Sequence, residues 1–137
     1  QLEKLDQNIA LRQANFKKQY KFFDNYSDYF SNPQETSGSN TAWLAFPILI
    51  KDNAPFTRKE FQIFLEKRNI QTRVVFTGNI LRQPMCQNIS KRVLEEGYPN
   101  ADRVMARGVL LPLHHGMTES MFSRFHATVH EFIEQYD

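Results

Sequence analysis

Three short apolar runs, "WLAFPILI", "TRVVF" and "VLLPL", are separated by stretches whose apolar residues recur every three or four positions. Strand-length runs that alternate with amphipathic helices dictate a layered α/β domain, because each helix must bury its apolar stripe against a sheet face. The order along the chain reads helix, strand, helix, strand, helix, strand, helix, with no internal repeat. This pattern predicts a two-layer sandwich with helices covering a small three-stranded sheet, and leaves strand direction open. At 137 residues the chain fits one domain with a single core.

Leu2, Leu5, Ile9, Phe16, Tyr20, Phe23 and Tyr26 predict one long helix through residue 30, with Lys17, Lys18 and Lys21 on a solvated face. A small sheet cannot cover a helix of that length. Residues 1–30 are therefore read as a linking helix that packs in part on a further domain, and residues 31–137 as the small domain. The absence of an initiating Met or a signal-like start also suits a piece of a longer protein. Residues 31–40 form a polar loop, and Pro47 predicts an edge position or a bulge in the first strand.

Thr57 and Glu60 form a capping-box pair ahead of a helix that buries Phe61, Phe64 and Leu65 and ends at a left-handed Asn69. Pro99 and Asn100 open a short helix stopped by Gly108. Thr118 caps the last helix, with Glu119 suited to its dipole and Phe122, Phe125, Val129, Phe132 and Ile133 inward.

Seventeen basic residues against fifteen acidic ones leave a net charge of +2. That is far from the single-sign excess of a nucleic-acid-binding protein, so any anion site is local. The longest apolar run has eight residues, whereas a membrane helix needs about 18. The chain is read as soluble, without membrane or nucleic-acid partners. One cysteine, Cys86, forms no internal disulfide and suits a reducing cytoplasm.

The most polar excursion from an apolar run is "TRVVFTGNILRQP", residues 72–84, which the apolar pattern reads as starting from a buried strand. Arg73, Asn79, Arg82 and Gln83 supply two guanidinium forks and two carboxamides, a set suited to a phosphate or diphosphate on a hydroxyl-rich group. Composition alone nevertheless favours ordinary salt bridges for both arginines. His114 and His115 stand at a strand end before a helix, where at most one of two adjacent rings faces a site. A metal reading lacks further ligands there. His126 and His130, four apart on a helix without an intervening Glu in the metalloprotease pattern, are read as structural. Cys86 is read as a small packed residue.

"QLEKLDQNIALRQANF", "WLAFPILIK", "IQTRVVFTGNILRQP" and "NADRVMARGVLLPLHHGMT", in that order, resemble the C-terminal part of the DegT/DnrJ/StrS sugar aminotransferase and sugar 3-dehydrase family. The "TR...F.GN..RQP" pattern is closest to the dehydrase branch. The resemblance implies the small domain of an aspartate-aminotransferase-like (fold type I) enzyme, with pyridoxal or pyridoxamine phosphate bound mainly by a large domain outside this chain. It implies a nucleotide-linked 4-keto-6-deoxyhexose as substrate in deoxysugar or lipopolysaccharide biosynthesis, a homodimer, and a reductase partner for some members. Arg73, Phe76, Asn79, Arg82 and Gln83, with His114 or His115 at the entrance, become candidate substrate contacts. No catalytic residue is expected within the chain, which alone should lack catalysis. A same-family aminotransferase and a free-standing α/β ligand-binding or interaction module are the alternatives.

Overall fold

A computed structural model of the protein describes residues 2–136; Gln1 and Asp137, the outer limits of the two expected segments, lie outside the described residues. After a short 3₁₀ turn at Leu2–Lys4 come α1 (Leu5–Asp24), β1 (Phe30–Ser31), β2 (Phe46–Ile50), α2 (Arg58–Glu66), β3 (Arg73–Val74), α3 (Pro99–Arg107), β4 (Gly108–Leu111) and α4 (Glu119–Ile133). The sheet has four strands in the order β1-β2-β4-β3, with every neighbouring pair antiparallel. The expected three strands are present, and β1 is the addition. It was hidden because Tyr26 and Phe30 continue the helical spacing, whereas α1 ends at Asp24 and a chain of turns leads into β1.

Cross-strand partners share a sheet face, so the register sorts the side chains. Phe46 opposite Leu111, Ile48 opposite Val109 and Ile50 opposite Phe30 all lie in the core, where they meet α1, α2 and α4. Pro47 opposite Leu110, and Arg73 opposite Leu110, belong to the other face. β1 reaches only Leu49 and Ile50, so Pro47 lies beyond its end, where a missing ladder donor costs nothing on that side.

The core is largely phenylalanine. Phe23 from α1 meets Phe30 edge-on at 5.3 Å and Phe46 stacked at 5.5 Å, while Phe61 of α2 and Phe132 of α4 meet at 5.1 Å. Burying each such ring contributes about 1.5–3 kcal/mol. The expected inward residues of α4 are all buried, and in α2 Phe61 and Leu65 are buried while Phe64 packs against the core edge. Cys86 is buried, as expected.

The local stop and start signals are realised in detail. Thr57 Oγ1 accepts from the Glu60 amide at 3.3 Å, and Glu60 accepts from the Thr57 amide at 2.7 Å, which holds the Glu60 carboxyl below its ordinary range. Asn69 has φ 57°, and Thr118 accepts from the Met121 amide. Gly108 differs: its backbone is extended at φ −78°, so its reason is space. A Cβ there would lie 2.6 Å from the Val104 carbonyl and 2.8 Å from Val75 Cγ2.

Two readings of α1 need correction. Lys18 is not merely solvated: it pairs with Glu119 at the start of α4 and lies 4.7 Å over the Phe122 ring. Leu2 and Leu5 are exposed, and the helix makes its core contacts through Phe16 and Phe23.

His126 joins α1 to α4. Its ring stacks on Phe22 at 3.8 Å and its Nε2 donates to the Oε1 of fully buried Gln19 at 2.8 Å. Burial, with the nearby Lys18 charge, pushes its pKa down from 6.5 to about 4. A histidine depressed in the folded state binds its proton more readily when unfolded, so its contribution is complete above pH 6.5 and fades as pH falls toward about 4. Because the ring is only half-buried, the expected loss is about 1–2 kcal/mol. Denaturant midpoints measured from pH 7 to pH 4 should fall less steeply in His126→Gln than in wild type. His130 bonds the Tyr26 hydroxyl at 2.9 Å, so the two α4 histidines serve separate structural contacts.

Candidate functional site

The excursion between β3 and α3 starts from an exposed edge, not from a buried strand. Val74 is 47% exposed and Phe76 87% exposed, because β3 has a partner on one side only and two residues in its ladder. Val74 shares the core face with Val109 but sits at the rim of the sheet.

From there the chain turns back onto α3. Gly78 has φ 69°, a conformation open mainly to glycine, and a Cβ at that position would lie 2.5 Å from Met105 Cβ. The Phe76–Thr77 peptide is cis. Gln83 Nε2 donates to the Thr77 carbonyl at 3.2 Å, closing the loop on itself. Gly78→Ala should undock the loop by about 1–3 kcal/mol, through overpacking against Met105 and an unfavourable φ. Faster amide exchange across residues 76–83 with an unchanged core would register that loss.

Asn79 is buried and works at both ends. Its Oδ1 accepts from the Leu81 amide at 3.0 Å, capping a 3₁₀ turn at Ile80–Arg82, and its Nδ2 donates to Asp102 Oδ1 at 2.8 Å. Arg82 makes a bidentate pair with the same carboxylate, Nε to Oδ1 at 3.0 Å and Nη2 to Oδ2 at 3.0 Å. The Arg82 hydrogen bond, followed by that of Asn79, holds the Asp102 carboxyl below the ordinary range, and Asp102 in turn raises the Arg82 pKa. The salt-bridge reading that composition favours therefore describes Arg82. Asp102 escaped the sequence reading because it lies twenty residues away; its one local signal is an acidic side chain in the first turn of α3.

Arg73 is in a different situation. Its guanidinium has no hydrogen-bond or ion-pair partner among the described residues. It lines an open groove with Leu44, Gln71, Leu110, Pro112 and His114 on the sheet face away from the main core. His114 Nδ1 accepts from the Gly116 amide at 3.1 Å, which places the proton of the neutral ring on Nε2. The His114 and His115 rings are 84° apart, and the groove is lined by His114 without His115. Arg82 and Asn79 line a separate concavity with Lys91, Tyr98 and Asp102. The structure thus brings Arg73 and His114 into one groove and the Asn79–Arg82 pair into another, with Phe76 projecting from the loop between them in sequence. A guanidinium and an imidazole N–H donor on an open groove can hold an anion or a hydroxyl-rich group.

The fold is a helix-covered antiparallel sheet with an arginine-bearing groove on its second face. The chain belongs to the DegT/DnrJ/EryC1/StrS aminotransferase family, whose model matches residues 1–130. It is 32% identical over 118 residues to the lipopolysaccharide biosynthesis protein RfbH of Salmonella typhimurium, covering 86% of this chain and 27% of that protein. It is 35% identical over 101 residues to the dTDP-4-dehydro-2,6-dideoxy-D-glucose 3-dehydratase of Saccharopolyspora spinosa, covering 74% of this chain and 22% of that enzyme. Among solved structures, the E. coli GDP-4-keto-6-deoxy-D-mannose-3-dehydratase with bound hydrated PLP superposes with a TM-score of 0.73 at 24% identity, over 93% of this chain and 31% of that one. A DegT DnrJ EryC1 StrS aminotransferase from Brucella abortus gives 0.76 at 18% identity, over 96% and 32%. The chain spans about a quarter of these curated relatives and a third of these solved chains.

Proposed function

We propose that the chain is the C-terminal small domain of a nucleotide-sugar 3-dehydratase that acts on a nucleotide-linked 4-keto-6-deoxyhexose. The observation that carries this reading is the match to curated 3-dehydratases from three organisms, of which the dTDP-sugar enzyme is 35% identical over 74% of the chain. The groove chemistry agrees with it: Arg73 offers a fork for a diphosphate oxygen and His114 Nε2–H a donor for a hydroxyl. Phe76 offers an exposed apolar face to the sugar or to the cofactor edge.

The donor set, Arg73 and His114 on an open groove, fits the rim of such a site, and pyridoxamine or pyridoxal phosphate is assigned to residues outside the chain. In this reading the cofactor is held by residues outside the chain, where it supplies the electron sink for loss of the 3-hydroxyl. The share of this chain is to bind and orient the substrate, so on its own it lacks catalysis. A homodimer, a cytoplasmic setting and, where the product needs reduction, a reductase partner complete the proposal.

The second reading is a sugar aminotransferase, supported by the likeness of fold to the Brucella enzyme. Mass analysis of the sugar nucleotide after incubation of the complete protein with pyridoxamine phosphate separates the two. The proposal expects a product lacking the 3-hydroxyl oxygen; an amino sugar formed with an amino-acid donor supports the second reading, and no turnover of any 4-ketosugar nucleotide overturns both.

A further inference from the structure

We propose that Asp102 is a positioning residue that fixes the loop of residues 76–83 on α3, and so sets where Phe76 and the loop backbone stand for substrate. This rests on the nucleotide-sugar reading for its consequence, but not for its geometry. One carboxylate takes three hydrogen bonds from two loop residues, Asn79 at 2.8 Å and Arg82 twice at 3.0 Å. Asn79 passes the constraint into the loop, because the same side chain caps Leu81.

The platform to which the loop is tied is itself fixed. Arg107 pairs with Asp52 at 2.7 Å and donates to the Lys51 carbonyl at 2.9 Å, and Arg103 reaches Asp52 at 3.3 Å. Arg58 of α2 donates to the Met105 carbonyl. Two close approaches seat the loop against this platform, Gly78 on Met105 and Val75 on Gly108. A continuous set of contacts therefore runs from the end of β2 and the start of α2, through α3, to the loop. Asp102 is the polar joint between platform and loop. With two of its nitrogens committed to that joint, Arg82 acts on the loop, and Arg73 is left to meet the anion.

The test uses the complete protein and reads two things, amide exchange across residues 76–83 and the separate KM and kcat values for a nucleotide-linked 4-keto-6-deoxyhexose. Asp102→Asn keeps the size but loses the charge and sets an amide donor against Arg82. Exchange in the loop should quicken roughly tenfold and KM rise by a similar factor, with kcat moving less. Adding Arg82→Gln to Asp102→Asn should change little more, since both act through one pair. Asp102→Glu, which keeps the carboxylate, should retain more protection and a lower KM than Asp102→Asn, and guards against a folding failure of the asparagine variant. Unchanged loop exchange overturns the proposal, and so does faster exchange with an unchanged KM, which would make the joint structural only. If the wild-type protein turns over no such sugar, the functional reading fails by itself. Loop exchange then still decides whether Asp102 holds the loop.

Discussion

On the proposed nucleotide-sugar reading, Arg73→Ala in the complete protein should weaken binding of the nucleotide-linked substrate by roughly 10- to 100-fold, the range expected when a hydrogen bond to a charged group is lost. The folded state should hardly notice. Arg73 is exposed on an edge strand, its guanidinium has no partner among the described residues, and its backbone pairing opposite Leu110 does not depend on the side chain. Titration calorimetry beside a thermal melt separates the effects: the account expects a large change in affinity with an almost unmoved melting temperature. Arg73→Lys should recover only part of the loss, because an ammonium cannot reproduce a bidentate fork.

Phe23→Ala should have the largest effect on stability. The ring is fully buried, sits edge-on to Phe22 at 5.1 Å and Phe30 at 5.3 Å, and stacks on Phe46 at 5.5 Å, joining α1 to two strands at once. Removing it leaves a cavity enclosed by other rings that have little freedom to collapse into it. The expected cost is about 3–5 kcal/mol, a large part of the stability of a domain of this size. Urea midpoints of wild type and variant measure it directly. Phe76→Ala, by contrast, should leave the midpoint unchanged, since that ring is 87% exposed.

What could be read in the residues was what is local. The Thr57–Glu60 capping box, the left-handed Asn69 and the Thr118 cap each depend on side chains within three or four positions of one another, and each stands where expected. The helical stripes of α2 and α4 were legible for the same reason. What failed was non-local. β1 is two residues long and is a strand only because Phe30 finds Ile50. The "VVF" run has strand composition, but its burial depends on having neighbours on both sides, and β3 has one. Lys18 looked solvated because Glu119 and Phe122 lie about a hundred positions away along the chain.

The candidate site divides in the same way. Both arginines are visible as guanidinium groups near a Gly-Asn turn, yet no local pattern tells one without a partner among the described residues from a paired one. Asp102, twenty residues beyond Arg82, makes that distinction. With it in place, Arg82 and Asn79 tie the loop to α3, while Arg73 and His114 line the groove; on the proposed division of labour the anion falls to Arg73.

A crystal structure of the complete protein with a bound nucleoside-diphosphate sugar tests that division most directly. A diphosphate oxygen should lie within hydrogen-bonding distance of the Arg73 guanidinium, with the Arg82–Asp102 pair intact. A diphosphate seated on Arg82, with Asp102 displaced and Arg73 left in solvent, would contradict it.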